Sequence, residues 1–275
     1  HKAHLRGLGE ETLSRRRPTS RFCCRDFSRP NDPMTRFFVR PEQMQNGTAT
    51  LDEADAYHLR VVLKAAPGEP VAILDGTGAE FPGRLGQLGK TRATVAVGEA
   101  FWPKTEPRTQ IMVAQALPKM AEKMEHVLQH GTEIGASAFW AFACERSVTH
   151  LTGERQAKRL GRWESIIKTA AEQAHRARLP ALRVEDSLAD VLASAAQYDL
   201  TLLAHPDTTT TLREALSETQ PKSVLIVIGP ESGFTPSEVA AAKRAEVRTI
   251  SLGPRILRTE TAALTLASQI LYALE

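Results

Sequence analysis

From residue 109 to the last residue, apolar runs of strand length alternate with amphipathic segments of helix length. This alternation is typical of βαβ units, and it implies a mostly parallel sheet with helices on both faces. We predict strands at 110–116, 138–143, 199–204, 224–228 and 247–252, and helices at about 120–131, 154–176, 211–217, 236–245 and 259–274. The C-terminal part of the chain is therefore predicted to be an α/β domain.

Residues 35–97 follow a different pattern, in which short β-rich runs are separated by glycine-containing turns. Such runs predict a small barrel-like β domain. The predicted strands are 37–39, 71–74, 80–81 and 94–97, with turns at 75–76 and 89–90 and one helix at 52–64. Two prolines in residues 102–107 favour a linker, so the expected domains are 34–104 and 105–275.

Residues 1–33 lack a hydrophobic period and combine Arg15, Arg16 and Arg17 with three prolines. They are predicted to be a disordered or non-native N-terminal extension, with an Arg-rich organelle-targeting peptide as the alternative. The formal net charge of +3 comes from this extension, because the rest of the chain is nearly balanced. Net charge is therefore no argument for RNA binding.

Several classes of protein are disfavoured by composition. No run approaches the roughly 20 apolar residues that a membrane-spanning helix needs. The three cysteines are too few for a disulfide framework and lack the spacing of zinc ligands. His126 and His130 lie one helical turn apart, but the glutamate that follows the first histidine in zinc proteases is absent, so no metal is expected. We expect a cytoplasmic protein without a membrane segment.

The first candidate site follows the predicted strand 224–228, which runs into the loop 229–234. Thr235 can cap the next helix, Pro236 fits its first position, and Glu238 completes a capping box. The two glycines of the loop allow a ligand to approach the backbone at the carboxyl end of the strand, where open α/β sheets usually bind ligands. The alternative is a plain strand-to-helix turn.

The second candidate site is residues 252–262, which leave a strand through a glycine-containing loop and enter the last helix. Arg258 stands just before the start of that helix, where a positive charge opposes the helix dipole. A functional role for its guanidinium would explain this position. The alternative is that Arg258 pairs with Glu260 or another surface carboxylate.

These two loops carry a resemblance to the RsmE family of ribosomal RNA methyltransferases. The sequence GPESGF at 229–234 is similar to the family's GPEGG loop, and LGPRILRTETA at 252–262 resembles its LGxRILRxETA segment. Weaker similarities extend over residues 34–275 and include Pro118-Lys119, Glu133-Ile134-Gly135, Glu145-Arg146-Ser147, Glu172-Gln173 to Arg176, and His58-Leu59 before Gly68.

The resemblance implies a SPOUT-type α/β domain with a C-terminal trefoil knot, a PUA-like RNA-binding barrel at the N-terminus, and a homodimer formed through the knot region. The implied activity is transfer of a methyl group from S-adenosylmethionine to N3 of one uridine in small-subunit ribosomal RNA. The implied cofactor-binding residues are Leu203, Ala204, His205, Gly229, Pro230, Glu231, Gly233, Leu252, Gly253, Ile256, Leu257, Thr259 and Ala262.

Two residues are candidates for catalysis, because uracil N3 carries a proton that has to leave before methylation. Arg258 is predicted to hold the negative charge that spreads onto the uracil oxygens, and Glu231 is a weaker candidate for accepting the proton or positioning the base. Candidate contacts to the RNA backbone are Arg36, Arg40, Lys64, Lys119, Lys123, Arg146, Arg176 and Arg178, with an ordinary solvated charge as the alternative for each.

The chain departs from the family pattern at Ser232, which replaces a glycine, and at Lys64, which replaces an arginine. Ser232 has to keep a negative φ or adopt a strained backbone, and Lys64 cannot bind phosphate in a bidentate manner. The expected partner is small-subunit ribosomal RNA or the assembled small ribosomal subunit. A non-catalytic ribosome-assembly factor and a SPOUT enzyme acting on another RNA position stay open as alternatives.

Overall fold

Two six-stranded sheets organise the computed structural model, which describes residues 34–148 and 153–275. Residues Met34–Glu275 form one compact unit. The first sheet lies within residues 35–97 and the second within 110–250. The predicted boundary near residue 104 falls between them, whereas the N-terminal extension 1–33 lies outside the described residues.

The first sheet is mostly antiparallel and has the strand order β1-β4-β5-β6-β3-β2. Its strands are β1 (Thr35–Phe38), β2 (Met44–Gln45), β3 (Thr48–Leu51), β4 (Pro70–Leu74), β5 (Glu80–Leu88) and β6 (Ala93–Val97). Only β1 and β4 pair in parallel. Phe37, Leu51, Leu59, Ile73 and Val95 form its buried core. The prediction of a β-rich first part is thus confirmed, although β2 and β3 were not predicted.

The helical segment predicted at 52–64 is present as α1 (Glu53–Tyr57) followed by a π-helical turn, His58–Val62. Asp52 caps α1, because its side chain accepts a hydrogen bond from the backbone N–H of Asp55 at 3.0 Å. The turn ends at Val62. Two residues later, Lys64 has a φ of +54°, in the left-handed region that is strained for any side chain with a Cβ atom.

The second sheet is entirely parallel and has the strand order β12-β10-β11-β7-β8-β9. Its strands are β7 (Gln110–Ala116), β8 (Ala138–Phe142), β9 (Ala181–Glu185), β10 (Leu200–Ala204), β11 (Ser223–Ile228) and β12 (Arg248–Ile250). Its helices are α2 (Ala121–Ile134), α3 (Gly153–Gln173), α4 (Leu188–Ala193), α5 (Leu212–Ser217), α6 (Pro236–Arg244) and α7 (Thr259–Leu274).

Helices cover both faces of this sheet, as predicted. One face packs against α2, α3, α5 and α7 through a core that includes Met124, Trp163 and Leu266. The other face packs against α4 and α6 through Leu188 and Ala242. The predicted series omitted β9, which is a half-exposed edge strand, and the six-residue helix α4.

The two sheets are joined by β1, the loop after β4, and the end of α3. Phe38 and Leu74 pack against Ala171 and Ala177 in a small buried cluster. The side chain of Glu172 accepts the backbone N–H of Phe38 at 3.0 Å. The first sheet is therefore held against the second by both apolar and polar contacts.

Among the described residues, no helix combines the length and apolar character needed to span a bilayer. No group of three His, Cys, Asp or Glu side chains in the same part of the chain is arranged to hold a metal ion. The rings of His126 and His130 stack edge to face with centroids 4.3 Å apart, and His130 Nδ1 lies 2.8 Å from Glu133.

Candidate active site at the carboxyl ends of the parallel strands

Three loops meet where β10, β11 and β12 end, and hydrogen bonds connect them. The N–H of His205 donates to the carbonyl of Ile250 at 3.0 Å, and the N–H of Ser251 donates to the carbonyl of Thr210 at 2.8 Å. The hydroxyl of Thr259 donates to the carbonyl of Gly229 at 2.5 Å. The loops 205–211, 229–235 and 251–258 therefore form one surface at the sheet edge where parallel α/β folds bind ligands.

The loop after β11 has the local structure that its sequence predicts. Thr235 and Glu238 form the capping box of α6, with Pro236 in its first turn. A Cβ atom at Gly229 would lie 3.1 Å from the Phe234 ring, so a side chain there would require that ring to shift. Gly233 takes the left-handed conformation of the loop, with φ +68°, while Ser232 stays outside that region. The replacement of glycine by Ser232 is thus accommodated without backbone strain.

The turn after β8 holds this loop from the side. Arg146 donates from its guanidinium to the carbonyl of Ser232 at 2.9 Å, and the hydroxyl of Ser232 donates to the carbonyl of Arg146 at 3.3 Å. Glu238, which is buried, accepts the N–H of Glu145 at 2.8 Å. The hydroxyl of Ser232 therefore makes one contact that glycine could not make.

The loop before α7 is more exposed. Gly253 has φ +101° and open space around its Cα atom, and the side chain of Ile256 is 84% exposed. Arg258 occupies the N-cap position of α7 without a side-chain cap. Its guanidinium is exposed and makes no hydrogen bond or ion pair with the described residues. The alternative of a structural pair with Glu260 is therefore not observed.

Glu260 is engaged instead by Lys123, which also binds Glu231. The Lys123 Nζ atom lies 2.8 Å from Glu231 and 3.8 Å from Glu260. Glu231 further accepts the N–H of Lys119, at 3.2 and 3.3 Å to its two oxygens. Partial burial acts to raise the pKa of Glu231, but the hydrogen bonds from Lys123 and the backbone outweigh it and leave the pKa below its usual value. Glu231 is thus a carboxylate of loop 229–235 that is held in place by hydrogen bonds from Lys119 and Lys123.

The residues predicted to bind the cofactor lie on the three loops or next to them. Leu203 is fully buried, so its side chain packs in the core, whereas Ala204 and His205 are half-buried at the end of β10. Thr259 and Ala262 are buried in the first turn of α7. Three separate stretches of the predicted set therefore come together in space.

The predicted RNA contacts divide into two groups. Arg40, Lys64, Lys119, Arg146 and Arg178 are exposed, and Lys123 is half-buried in its ion pairs. Arg36 is 8% exposed and pairs with Glu80 at 3.7 Å. Arg176 is 4% exposed and binds Glu106 at 2.6 Å and the carbonyls of Thr132 and Ala136. The prediction for Arg36 and Arg176 is corrected, because their guanidinium groups are buried and already paired.

Gln115 is a polar residue of the site that the sequence analysis missed. It is fully buried at the carboxyl end of β7 and contacts both Thr259 and Gly229. A single glutamine inside an apolar strand was the available signal, because a polar side chain in a strand buried on both faces requires hydrogen-bond partners.

Comparison with known proteins agrees with this architecture. Residues 104–271 match the RNA methyltransferase domain family. A parallel α/β domain with ligand-accessible loops at its strand ends, together with this match, defines the class of protein as an RNA methyltransferase.

Individual relatives show which family of RNA methyltransferases the chain belongs to. The chain is 32% identical over 251 residues to the ribosomal RNA small subunit methyltransferase E of Bacillus subtilis, covering 88% of this chain and 98% of the relative. A methyltransferase from Legionella pneumophila, solved with the cofactor SAM, has a TM-score of 0.81 and 31% identity, covering 87% of this chain and 98% of its own. The small subunit methyltransferase E of Neisseria gonorrhoeae, solved with S-adenosyl methionine, has a TM-score of 0.77 and 28% identity over the same shares. The chain belongs to the RsmE family.

Proposed function

We propose that this protein is an enzyme that transfers a methyl group from S-adenosylmethionine to N3 of one uridine in small-subunit ribosomal RNA. The observation that carries this proposal is the convergence of loops 229–235 and 251–258 in a chain of the RsmE family. The assignment of N3 as the atom that accepts the methyl group rests on family membership alone. The site supports it through a free guanidinium and an anchored carboxylate on the two loops.

The residues of the three loops fit S-adenosylmethionine. Gly233 and Gly253 both have positive φ and no atoms within 4 Å of where a Cβ would lie, so their backbone is open to a ligand. The buried Oε1 atom of Gln115, just behind these loops, has no hydrogen-bond partner among the described residues. We propose the cofactor-binding set predicted above, with backbone groups supplying most of the contacts.

The cofactor supplies an activated methyl group, so the tasks of the protein are to align uracil N3 and to stabilise its anion. Arg258 is proposed for the second task, because its guanidinium is exposed and unpaired among the described residues. Glu231 is proposed to orient the base, because its oxygens already accept hydrogen bonds from Lys119 and Lys123. These contacts make proton acceptance by Glu231 the less favoured of its two predicted roles.

We propose that RNA reaches the site along exposed basic residues in the loops of both the N-terminal and the C-terminal part of the chain. We retain Arg40, Lys64, Lys119, Arg146 and Arg178, together with the half-buried Lys123 of α2, as phosphate contacts and exclude the two buried arginines. The target uridine has to leave any base stack to reach a methyl donor held in the loops, so an unpaired nucleotide is the expected substrate.

The finer features of the fold are also proposals. A trefoil knot is supported by the path of the last segment, in which Ser251 pairs with Thr211 and α7 then returns to Gly229. A PUA-like barrel is supported by the six-stranded first sheet. A homodimer is supported by Ile256 and Tyr272, which are 84% and 92% exposed and would be covered by a second copy. We also propose a cytoplasmic location, where a ribosomal RNA substrate is present.

The test is incubation of the protein with labelled S-adenosylmethionine and small ribosomal subunits that lack the modification, followed by nucleoside analysis of the digested RNA. Label in 3-methyluridine is expected. Label in another nucleoside would move the enzyme to a different RNA position. Cofactor binding without any transfer to RNA would favour a non-catalytic assembly factor.

A further inference from the structure

Gln115 sits behind the two proposed cofactor loops and contacts both of them. Its Nε2 atom donates to Thr259 Oγ1 at 2.8 Å and to the carbonyl of Ala116 at 2.9 Å. The same atom lies 3.5 Å from the carbonyl of Gly229. Gly229 begins the loop after β11, and Thr259 begins α7 directly after Arg258. One amide group thus bridges the strand β7, the loop 229–235 and the start of α7.

The orientation of this amide is determined by its partners. The hydroxyl hydrogen of Thr259 is committed to the Gly229 carbonyl at 2.5 Å, so Thr259 can only accept from Gln115. The other two neighbours of Nε2 are carbonyl oxygens, which also only accept. A rotated amide would bring its oxygen against these acceptors, so Nε2 has to be the atom that faces them.

The other end of the same amide is unsatisfied. Gln115 is 0% exposed, and its Oε1 atom has no hydrogen-bond partner among the described residues. A buried acceptor without a partner destabilises a fold, whereas an apolar side chain of equal length would fill the same space without that penalty. A role limited to packing therefore does not account for a glutamine here.

We propose that Gln115 is a positioning residue for the methyl donor. By holding the Thr259 hydroxyl against the Gly229 carbonyl, it keeps the loop 229–235 and the Arg258-bearing end of loop 251–258 in a fixed relation. This inference rests on the proposed function, since it assigns Gln115 to the same S-adenosylmethionine site. Gln115 itself is not assigned a contact with the reacting atoms.

The primary test replaces Gln115 by Met, which has nearly the same length but no hydrogen-bond donor. The dissociation constant for S-adenosylmethionine is measured by equilibrium dialysis, together with KM, kcat and the unfolding temperature without cofactor. Loss of the bridging hydrogen bonds is expected to raise Kd and KM about tenfold. At saturating cofactor, kcat should change less than these constants. Gln115→Glu should weaken binding further, because a carboxylate would face two carbonyl oxygens.

A matched control separates positioning from stability. Thr132 is equally buried, and its hydroxyl donates to the carbonyl of Leu128 at 2.7 Å inside α2. Thr132→Val removes one buried hydrogen bond away from the loops, so it should lower the unfolding temperature and leave Kd unchanged. An equal rise of Kd in Thr132→Val and Gln115→Met would overturn the proposal.

A second pair of variants tests the same network from its other end. Thr259→Val should raise Kd, and Thr259→Ser, which keeps the hydroxyl, should restore it. In the Thr259→Val background, Gln115→Met should have little additional effect, because the two residues act through one contact. Unchanged affinity in Gln115→Met or full additivity of the two substitutions would overturn the positioning role alone. Failure of the wild type to bind S-adenosylmethionine would overturn the proposed function as well.

Discussion

Glu172 lies at the joint between the two sheets, and its protonation should make the stability of the protein depend on pH. Its Oε1 atom accepts the N–H of Phe38 at 3.0 Å and lies 3.8 Å from Lys168 Nζ. Burial is the largest influence and raises the pKa of Glu172 from 4.5 to about 7, with the carboxylates of Asp55 and Asp52 adding to it. The Phe38 N–H and Lys168 act in the opposite direction but do not compensate.

The direction of the pH effect follows from the two pKa values. In the unfolded chain this carboxyl loses its proton near 4.5, whereas in the folded protein it keeps the proton up to about 7. The stability contributed by protonated Glu172 is therefore fully present below pH 4.5 and is lost as the pH rises through about 7. Since one pKa unit corresponds to about 1.4 kcal/mol, the free energy of unfolding should fall by roughly 3 kcal/mol across this window.

The assay is urea unfolding of the wild type and of Glu172→Gln at several pH values from acidic to slightly alkaline. Glutamine keeps the shape and has no proton to lose, so the free energy of unfolding of the variant, relative to the wild type, should rise by about 2 to 3 kcal/mol with pH. Glu42→Gln, at an exposed glutamate in the 3-10 turn between β1 and β2, should follow the wild type. Parallel curves for the wild type and Glu172→Gln would refute the reasoning.

Three further predictions concern the site and its support. Arg258→Ala should lower kcat at least about 100-fold, while Kd for S-adenosylmethionine changes less than about threefold. Arg255→Ala, on the same loop, should change neither kcat nor Kd. Equal losses of kcat and affinity in Arg258→Ala would contradict the assignment. Gly233→Ala should lower the free energy of unfolding by about 1 kcal/mol, because φ at this position is +68°. It should also weaken cofactor binding, as measured by dialysis. Gly47→Ala, where φ is +73° and the surroundings are equally open, should lower stability without changing cofactor binding. Arg176→Leu should destabilise the protein by about 3 kcal/mol, since it leaves the Glu106 carboxylate without its buried partner. A thermal melt that shows no loss in Arg176→Leu compared with Arg178→Leu would count against that account.

Much of the second sheet could be predicted from local sequence. Strands buried on both faces have continuous apolar runs, so β7, β10 and β11 were placed within one residue or so of their observed ends. The start of α6 was also predictable, because Thr235, Pro236 and Glu238 each satisfy a helix terminus within a few residues along the chain. Where the pattern was weak, as in the half-exposed strand β9, the prediction failed.

The two loops of the candidate site were identified by their sequence, and most of their residues came from family resemblance. Local reasoning left open whether Arg258 pairs with Glu260, because the answer depends on Lys123, a residue more than one hundred positions earlier that binds Glu260 instead. Gln115 was missed for a similar reason. Its partners Gly229 and Thr259 are distant in the chain.

By itself, the sequence determined the alternation of strands and helices, the glycine-containing loops at two strand ends, and the capping of the helix that follows one of them. These features depend on the period of side-chain burial and on hydrogen bonds between near neighbours. The tertiary structure alone decided that Arg36 and Arg176 are buried pairs, that Gln115 bridges two loops, and that burial raises the pKa of Glu172 to about 7. Burial, ion pairing and pKa depend on which segments become neighbours, and that is set by the order in which the strands pair.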